Sequence, residues 1–257
     1  AVGGLERLPL PVRSTALEPL LKDPVRAVRI AAARALVDLL DERGPVPDRL
    51  LTSAINEYLT SQTTMADLPS THLNLGVVHE YRQDSDLAAV EYRIALRLEP
   101  GFLPARFNLA NLFNRQRRNE EAEELLREGL EYNQNEAELY YSLGLILAEE
   151  KLLEESVTNL SEAARLNPER ARIRYNYGLA LQQVGRLADA ETALREAKAL
   201  DAEDQDVLLA LTRLLMGQQR WEEARTFATE LALLMPTASG PQRLINEIQI
   251  LERRNRR

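Results

Sequence analysis

Apolar and small residues recur along most of the chain at a fixed interval of 34 positions. The pair Leu75-Gly76 is answered by Leu109-Ala110, Leu143-Gly144, Tyr177-Gly178 and Leu211-Thr212. Twelve residues beyond each small member lies another small residue: Ala88, Ala122, Ser156, Ala190 and Ala224. A bulky side chain follows at Tyr92, Leu126, Leu160 and Leu194, with Ala228 in the last unit, and then Ala95, Gly129, Ala163 and Ala197, with Leu231 last. The units close at Pro100, Gln134, Pro168, Ala202 and Pro236, and proline suits a break because it cannot continue the preceding helix. This pattern predicts two helices per unit, drawn together at two small positions. One such unit cannot bury its apolar stripe alone, so neighbours must stack.

From Pro69 to Pro236 the period and the spacing of these residues resemble the tetratricopeptide (TPR) repeat. The resemblance implies an all-α fold, a right-handed α-solenoid of five helix pairs at 69–102, 103–136, 137–170, 171–204 and 205–238, filling residues 68–237. The position usually held by an aromatic is here His72, Arg106, Tyr140, Arg174 and Leu208, so packing between repeats should vary, and the fifth repeat departs most.

Residues 1–67 lie outside that register. Leu17-Glu18-Pro19-Leu20-Leu21-Lys22-Asp23-Pro24-Val25-Arg26-Ala27-Val28-Arg29, leading into an alanine-rich stretch, resembles a HEAT repeat. Asp23 is expected to cap a helix that Pro24 begins, with Val25, Val28, Ala32, Ala35, Leu36 and Leu39 on one apolar face. Gly44-Pro45 should end that helix, and Asp48 should cap the next, through Leu50, Leu51, Ile55 and Leu59. Residues 238–257 read as a capping helix whose Leu244, Ile245, Ile248, Ile250 and Leu251 dock on the fifth repeat. The alternative is self-association, this helix docking on another copy of the chain.

Composition narrows the function classes. The chain has 257 residues, 45% hydrophobic side chains and only four Phe, one Trp and eight Tyr, which suits closely packed helices. Its net charge of -8 opposes the phosphate backbone, so no nucleic-acid partner is expected. The basic run Glu252-Arg253-Arg254-Asn255-Arg256-Arg257 reads as a dipole-compensating helix end. Without cysteine there are no disulfides, thiolate metal sites or haem attachment points in these residues. No apolar run approaches the ~20 residues that span a bilayer, so no membrane insertion is expected. The start Ala1-Val2-Gly3-Gly4, lacking methionine, reads as a fragment of something longer.

Catalytic constellations are not assembled. His72 and His79 are seven residues apart and have no clear third metal ligand; His79 is expected to pack between helices. Glu120, Glu121, Glu123, Glu124 and Glu128 read as a solvated helix face. No nucleophile elbow, triad or phosphate-cradling loop is present, and Trp221 is expected to pack. The expectation is therefore no enzyme, no catalytic residue, no metal and no cofactor.

In a TPR the first helix of each pair lines the concave surface through its second, fifth, sixth, ninth and thirteenth positions. The sixth reads Asn74, Asn108, Ser142, Asn176 and Ala210, and the fifth adds Leu73, Phe107, Tyr141 and Tyr175. An asparagine amide offers donors and an acceptor to both polar groups of a peptide backbone. Asn74, Asn108 and Asn176 resemble the asparagine ladder of the TPR superhelix of O-GlcNAc transferases, although no transferase domain accompanies them. The carboxylate clamp of chaperone-binding TPR proteins is absent, since Leu73 and Val77 stand at its first pair. The alternative for these residues is structural: the amides bond to neighbouring helices or water, and Tyr141 and Tyr175 pack between repeats.

The expected function is a protein- or peptide-binding scaffold, its partner an extended segment held in the groove. The alternative is a structural or assembly domain docking on another domain or subunit. The order of the HEAT-like segment, Ala54-Ile55-Asn56-Glu57-Tyr58, His72-Leu73-Asn74-Leu75-Gly76 and the repeats resembles the C-terminal region of bacterial multihaem cytochrome c proteins. That resemblance implies a periplasmic location with haem chemistry upstream; without it the expected location is cytoplasmic.

Overall fold

A computed structural model describes residues 5, 8–40, 48–63 and 66–255. Among them every regular element is helical, and the fold is an α-solenoid of helix pairs. The chain divides into two compact units, Ala1–Leu125 and Leu126–Arg257.

The first unit opens with α1 (Leu10–Leu17), a 3-10 turn at Glu18–Lys22, α2 (Arg26–Ala35), a second 3-10 turn at Val37–Leu40, and α3 (Asp48–Thr63). Leu17, Leu21, Ala32, Ala33, Leu36, Leu39, Leu51, Ala54, Ile55 and Tyr58 form its core. Arg29 ties α2 to α3 through Glu57, with contacts of 3.0 and 2.7 Å.

Two expectations for this segment are corrected. The Asp23 carboxylate does accept an amide, that of Val25 at 2.8 Å, but this local turn delays the helix to Arg26, and Pro24 stays outside it. Val25 consequently leaves the apolar face and is 55% exposed, while the helix stops at Ala35 so that Leu36 and Leu39 are buried from the following turn. Gly44-Pro45 and the Asp48 side chain lie outside the described residues.

The repeat helices follow as α4 (Pro69–Tyr81), α5 (Ser85–Leu98) and α6 (Leu103–Arg115); α7 (Asn119–Tyr132) runs from the first unit into the second. The second unit continues with α8 (Ala137–Glu149), α9 (Leu153–Leu166), α10 (Ala171–Gln183), α11 (Leu187–Leu200), α12 (Gln205–Gly217), α13 (Trp221–Leu234) and α14 (Ser239–Asn255).

The small positions do the packing that the pattern predicts. A methyl group placed on Gly76 would meet the Tyr92 ring at 2.4 Å, and one on Gly144 or Gly178 would meet Leu160 or Leu194 Cγ at 2.7 or 2.8 Å. Ala88, Ala95, Ala163, Ala190, Ala197 and Ala224 have no exposed surface. Close approach at these points lets short helices bury enough apolar area to hold, since helices of this length are marginal by themselves.

Three of the side chains at the usually aromatic position share one contact. His72 Nε2 lies 2.9 Å from the Ala66 carbonyl, Arg106 Nη2 donates to the Pro100 carbonyl at 2.6 Å, and the Tyr140 hydroxyl donates to the Gln134 carbonyl at 3.1 Å. In each case a polar side chain satisfies the carbonyl six residues back, at the break before its helix. Arg106, only 1% exposed, also donates to the Leu125 carbonyl at 2.6 Å.

One recurrent feature escaped the sequence pattern. Between the two helices of every unit a residue takes positive φ: Gln83, Arg117, Lys151, Gly185 and Gln219, at 63, 62, 64, 79 and 59°. The amide after each donates to a carbonyl five positions earlier, as Asp84 does to His79, Lys151's successor Leu152 to Leu147, and Arg186 to Leu181, all at 2.9 Å. This is the Schellman closure of a helix C-terminus, and only the fourth repeat supplies the glycine that suits it.

In the second unit α14 packs on α13 through buried Ile248 and half-buried Leu244 and Ile245. Arg225 pairs with Glu252, and the Asn255 amide donates to Gln219 at 2.9 Å. Ile250, expected on the docked face, is 58% exposed; two residues beyond Ile248 on a helix points it to the opposite side. Trp221 is half-buried against the same core. Arg256 and Arg257 lie outside the described residues.

Candidate functional site

The first helix of each pair carries the candidate residues, and each unit presents its own set. In the first unit Leu73, Asn74, Phe107 and Asn108 are all half-buried. The Asn74 amide donates to Gln62 Oε1 at 3.1 Å, which ties α4 to α3. The Asn108 amide lies 3.5 Å from the Tyr92 hydroxyl, a long bond by ordinary criteria. That hydroxyl donates in turn to Glu80, which also pairs with Arg115. Burial first, and the Glu80 carboxylate second, hold the Tyr92 phenol well above its ordinary range.

In the second unit the Asn176 amide donates to the Tyr141 hydroxyl at 2.7 Å, joining α8 to α10. Tyr141 is only 8% exposed, with the Arg170 guanidinium 4.8 Å from its ring centre, so it acts chiefly as the prop that orients Asn176. Ser142 and Tyr175 are half-buried. Among the described residues the Oδ1 atoms of Asn74, Asn108 and Asn176 receive no bond, so each amide keeps an acceptor and a second N–H.

Beside Asn176 the faces of α10 and α12 enclose a pocket of about 470 Å³, lined by Tyr175, Leu179, Gln182, Gln183, Asp206, Leu209, Ala210 and Arg213. Leu179, Leu209 and Ala210 give it an apolar floor, and the amides and charges form its rim. Arg172 bonds Asp206 at 2.9 Å and stacks 4.8 Å from the Tyr175 ring centre, fixing one wall. Burial, helped by the Asp206 charge, raises the Tyr175 phenol, so it stays a neutral hydrogen-bonding group at physiological pH.

Sequence reasoning named Tyr175 and Asn176 but passed over Leu179, Asp206, Leu209 and Arg213. The signal was present, because these are the ninth position of the fourth repeat and the second, fifth and ninth of the fifth.

Other expected candidates are placed as follows. His72 Nδ1 lies 2.6 Å from Glu91, and half-buried His79 has a buried Nδ1 with no bonding partner. No group of three or more His, Cys, Asp or Glu side chains among the described residues could hold a metal ion. Glu120, Glu124 and Glu128 are exposed on α7, and Glu121 is bonded to Arg118 at 2.6 Å. No helix of the described residues is long and apolar enough to cross a membrane.

Residues 82–145 and 153–204 match the tetratricopeptide repeat. Over these residues the chain therefore carries TPR repeats, an α-helical scaffold typical of protein–protein interaction modules. Its fold is similar to that of the crystal structure of YrrB, described as a TPR protein with an unusual peptide-binding site, at TM-score 0.59 and 17% identity over 72% of this chain and 95% of that one. It is likewise similar to Pseudomonas aeruginosa pilF, at TM-score 0.61 and 25% identity over 76% of this chain and 88% of the other. MamA gives TM-score 0.59 at 19% identity over 63% and 95%. No curated protein matches the chain.

Proposed function

We propose that the inner helices of the second unit hold an extended segment of a partner protein, its backbone on Asn176 and one of its side chains in the pocket between α10 and α12. The observation that carries this reading is the pairing of two complementary features on one face. Asn176 is held by Tyr141 with its carbonyl oxygen unspent, and the adjoining pocket has an apolar floor of Leu179, Leu209 and Ala210. Backbone bonds contribute only ~0.5–1.5 kcal/mol each, so the pocket must provide much of the affinity, and micromolar binding is the expected range. Ser142 in the second unit, and Leu73, Asn74, Phe107 and Asn108 in the first, offer the same chemistry on their own helices. YrrB, a protein of similar fold, is described as having an unusual peptide-binding site.

The test is binding of a pool of unstructured peptides to the wild-type chain and to Asn176→Ala and Leu209→Ser variants whose helicity matches wild type. Saturable binding that both substitutions weaken supports the reading. Binding unaffected by either substitution, or none at millimolar peptide, refutes it.

A second reading is an assembly element docked on another domain. It draws support from Leu233 and Ile250, which keep 76% and 58% of their surface exposed on α13 and α14. Under it the amino-terminal helices form a HEAT-like buttress, a reading supported by the packing of α2 on α3, and the sequence resemblance supplies a multihaem cytochrome as the class of neighbour. Failure of all peptides to bind would favour this reading.

A further inference from the structure

The pocket between α10 and α12 also carries a charge that the molecule itself does not neutralise. Four ionisable side chains of charged type stand at or near its rim: Arg172, Asp204, Asp206 and Arg213. Arg172 and Asp206 neutralise each other at 2.9 Å. Asp204 is committed to the start of α12, where its Oδ1 accepts the amides of Asp206 and Val207 at 2.8 and 3.1 Å and faces the positive end of the helix. Arg213 is exposed, lines the pocket, and forms no ion pair among the described residues. Several arginines elsewhere, among them Arg115, Arg127, Arg170, Arg174, Arg195 and Arg220, do have a carboxylate partner.

An unpaired guanidinium beside an apolar floor selects a particular ligand chemistry. A side chain such as leucine would fill the space over Leu179 and Leu209. A carboxylate two residues away in an extended segment, on the same side of its backbone, would then meet the five-donor fork of Arg213, for which planar carboxylate is the matching acceptor. Gln182 and Gln183 on the same rim can bond the intervening backbone.

Resting on the peptide-binding reading above, we infer that this pocket is specific for an extended segment in which an acidic residue lies two positions from an apolar one, with Arg213 reading the carboxylate. The whole chain carries a net charge of -8, which repels an acidic ligand at long range. Any preference for acid must therefore arise in the pocket itself, at contact distance. A basic segment, favoured by the overall field, is the competing outcome.

The experiment uses the whole chain and four labelled twelve-residue peptides, each four copies of Gly-Leu-Glu, Gly-Leu-Gln, Gly-Leu-Lys or Gly-Ser-Glu, with affinity read by fluorescence anisotropy. Glycine in every triplet disfavours helix and leaves all four equally unstructured before binding. The expected order is Leu-Glu tightest, at least fivefold over Leu-Gln, with Leu-Lys and Ser-Glu weaker still. Arg213→Glu, an exposed substitution that should leave the circular dichroism unchanged, is expected to abolish the Leu-Glu preference and raise Leu-Lys binding. Arg213→Lys should retain a preference for acid at reduced affinity. Equal binding of Leu-Glu, Leu-Gln and Leu-Lys, or a Leu-Glu preference that survives Arg213→Glu, overturns the specificity while leaving peptide binding intact. No binding by any of the four overturns both.

Discussion

Replacing Gly144 by alanine tests the packing rule on which the whole array depends. The added methyl carbon would sit 2.7 Å from Leu160 Cγ, 3.0 Å from its Cδ2 and 3.3 Å from its backbone nitrogen. Carbon atoms in favourable contact are ~3.5–4.0 Å apart, so α8 and α9 must separate by several tenths of an ångström or Leu160 must leave its rotamer. Leu160 is 1% exposed, which blocks the second route. Overpacking of this kind costs ~1–3 kcal/mol, while alanine in place of helical glycine returns ~1 kcal/mol. The net expectation is destabilisation by up to ~2 kcal/mol, read as a lowered urea midpoint by circular dichroism. Gly217, with no atom within 4 Å of the same methyl position, is the control: there alanine should stabilise by a few tenths of a kcal/mol up to ~1. Combining Gly144→Ala with Leu160→Ala should cost less than the two singles added, because the new methyl occupies part of the vacated space. If Gly144→Ala stabilises as much as Gly217→Ala, or the pair is strictly additive, close helix approach is not what the small position provides.

Gly185→Ala should destabilise by ~1 kcal/mol, since φ of 79° disfavours a Cβ, whereas Lys151→Gly, at φ of 64°, should be neutral or slightly stabilising; urea midpoints check both. Tyr141→Phe removes the acceptor of the Asn176 amide and should cost ~0.5–1.5 kcal/mol, with a matching loss of peptide affinity if the hydroxyl orients the amide for binding. Burial pushes the Glu191 carboxyl up, but Arg220 and Arg195 outweigh it and hold it below the usual carboxylate range. A folded pKa depressed below the unfolded one gives stability that is complete above the ordinary carboxylate value of ~4.3 and is lost as pH falls through the lower folded value. The wild-type urea midpoint should therefore fall between pH 6 and pH 3 more than that of Glu191→Gln; equal slopes would show that the two arginines contribute nothing through this group.

The positions of the repeat helices were legible in the sequence because their determinants are local and periodic. Small residues recur where backbones touch, bulky ones where they fill, and prolines where a helix must stop. Gly76 against Tyr92 and Gly144 against Leu160 are contacts only sixteen residues apart, so the spacing is nearly the structure. The positive-φ turn was not legible, since Gln, Arg, Lys and Gln occupy it in four of five units. There the closure is imposed by two helices that pack regardless of the residue between them, and propensity yields. The amino-terminal helix begins at Arg26, two residues later than expected, although Asp23 accepts the Val25 amide in the way a cap does.

For the candidate site the division is sharper. The chain alone determined which positions of each first helix stand together on one face, because a helix repeats its facing residues every three or four positions and the array repeats its helices. What each residue does on that face depended on partners far away in sequence. Tyr141 is spent holding Asn176, 35 positions on, and Asp206 is neutralised by Arg172, 34 positions back. Among the described residues Arg213 has no such counterpart. Side-chain charge and hydrogen-bonding capacity are written in the sequence, but whether they are already satisfied is decided only when the tertiary structure brings the partners within bonding distance, and only the unsatisfied remainder is free to bind something else.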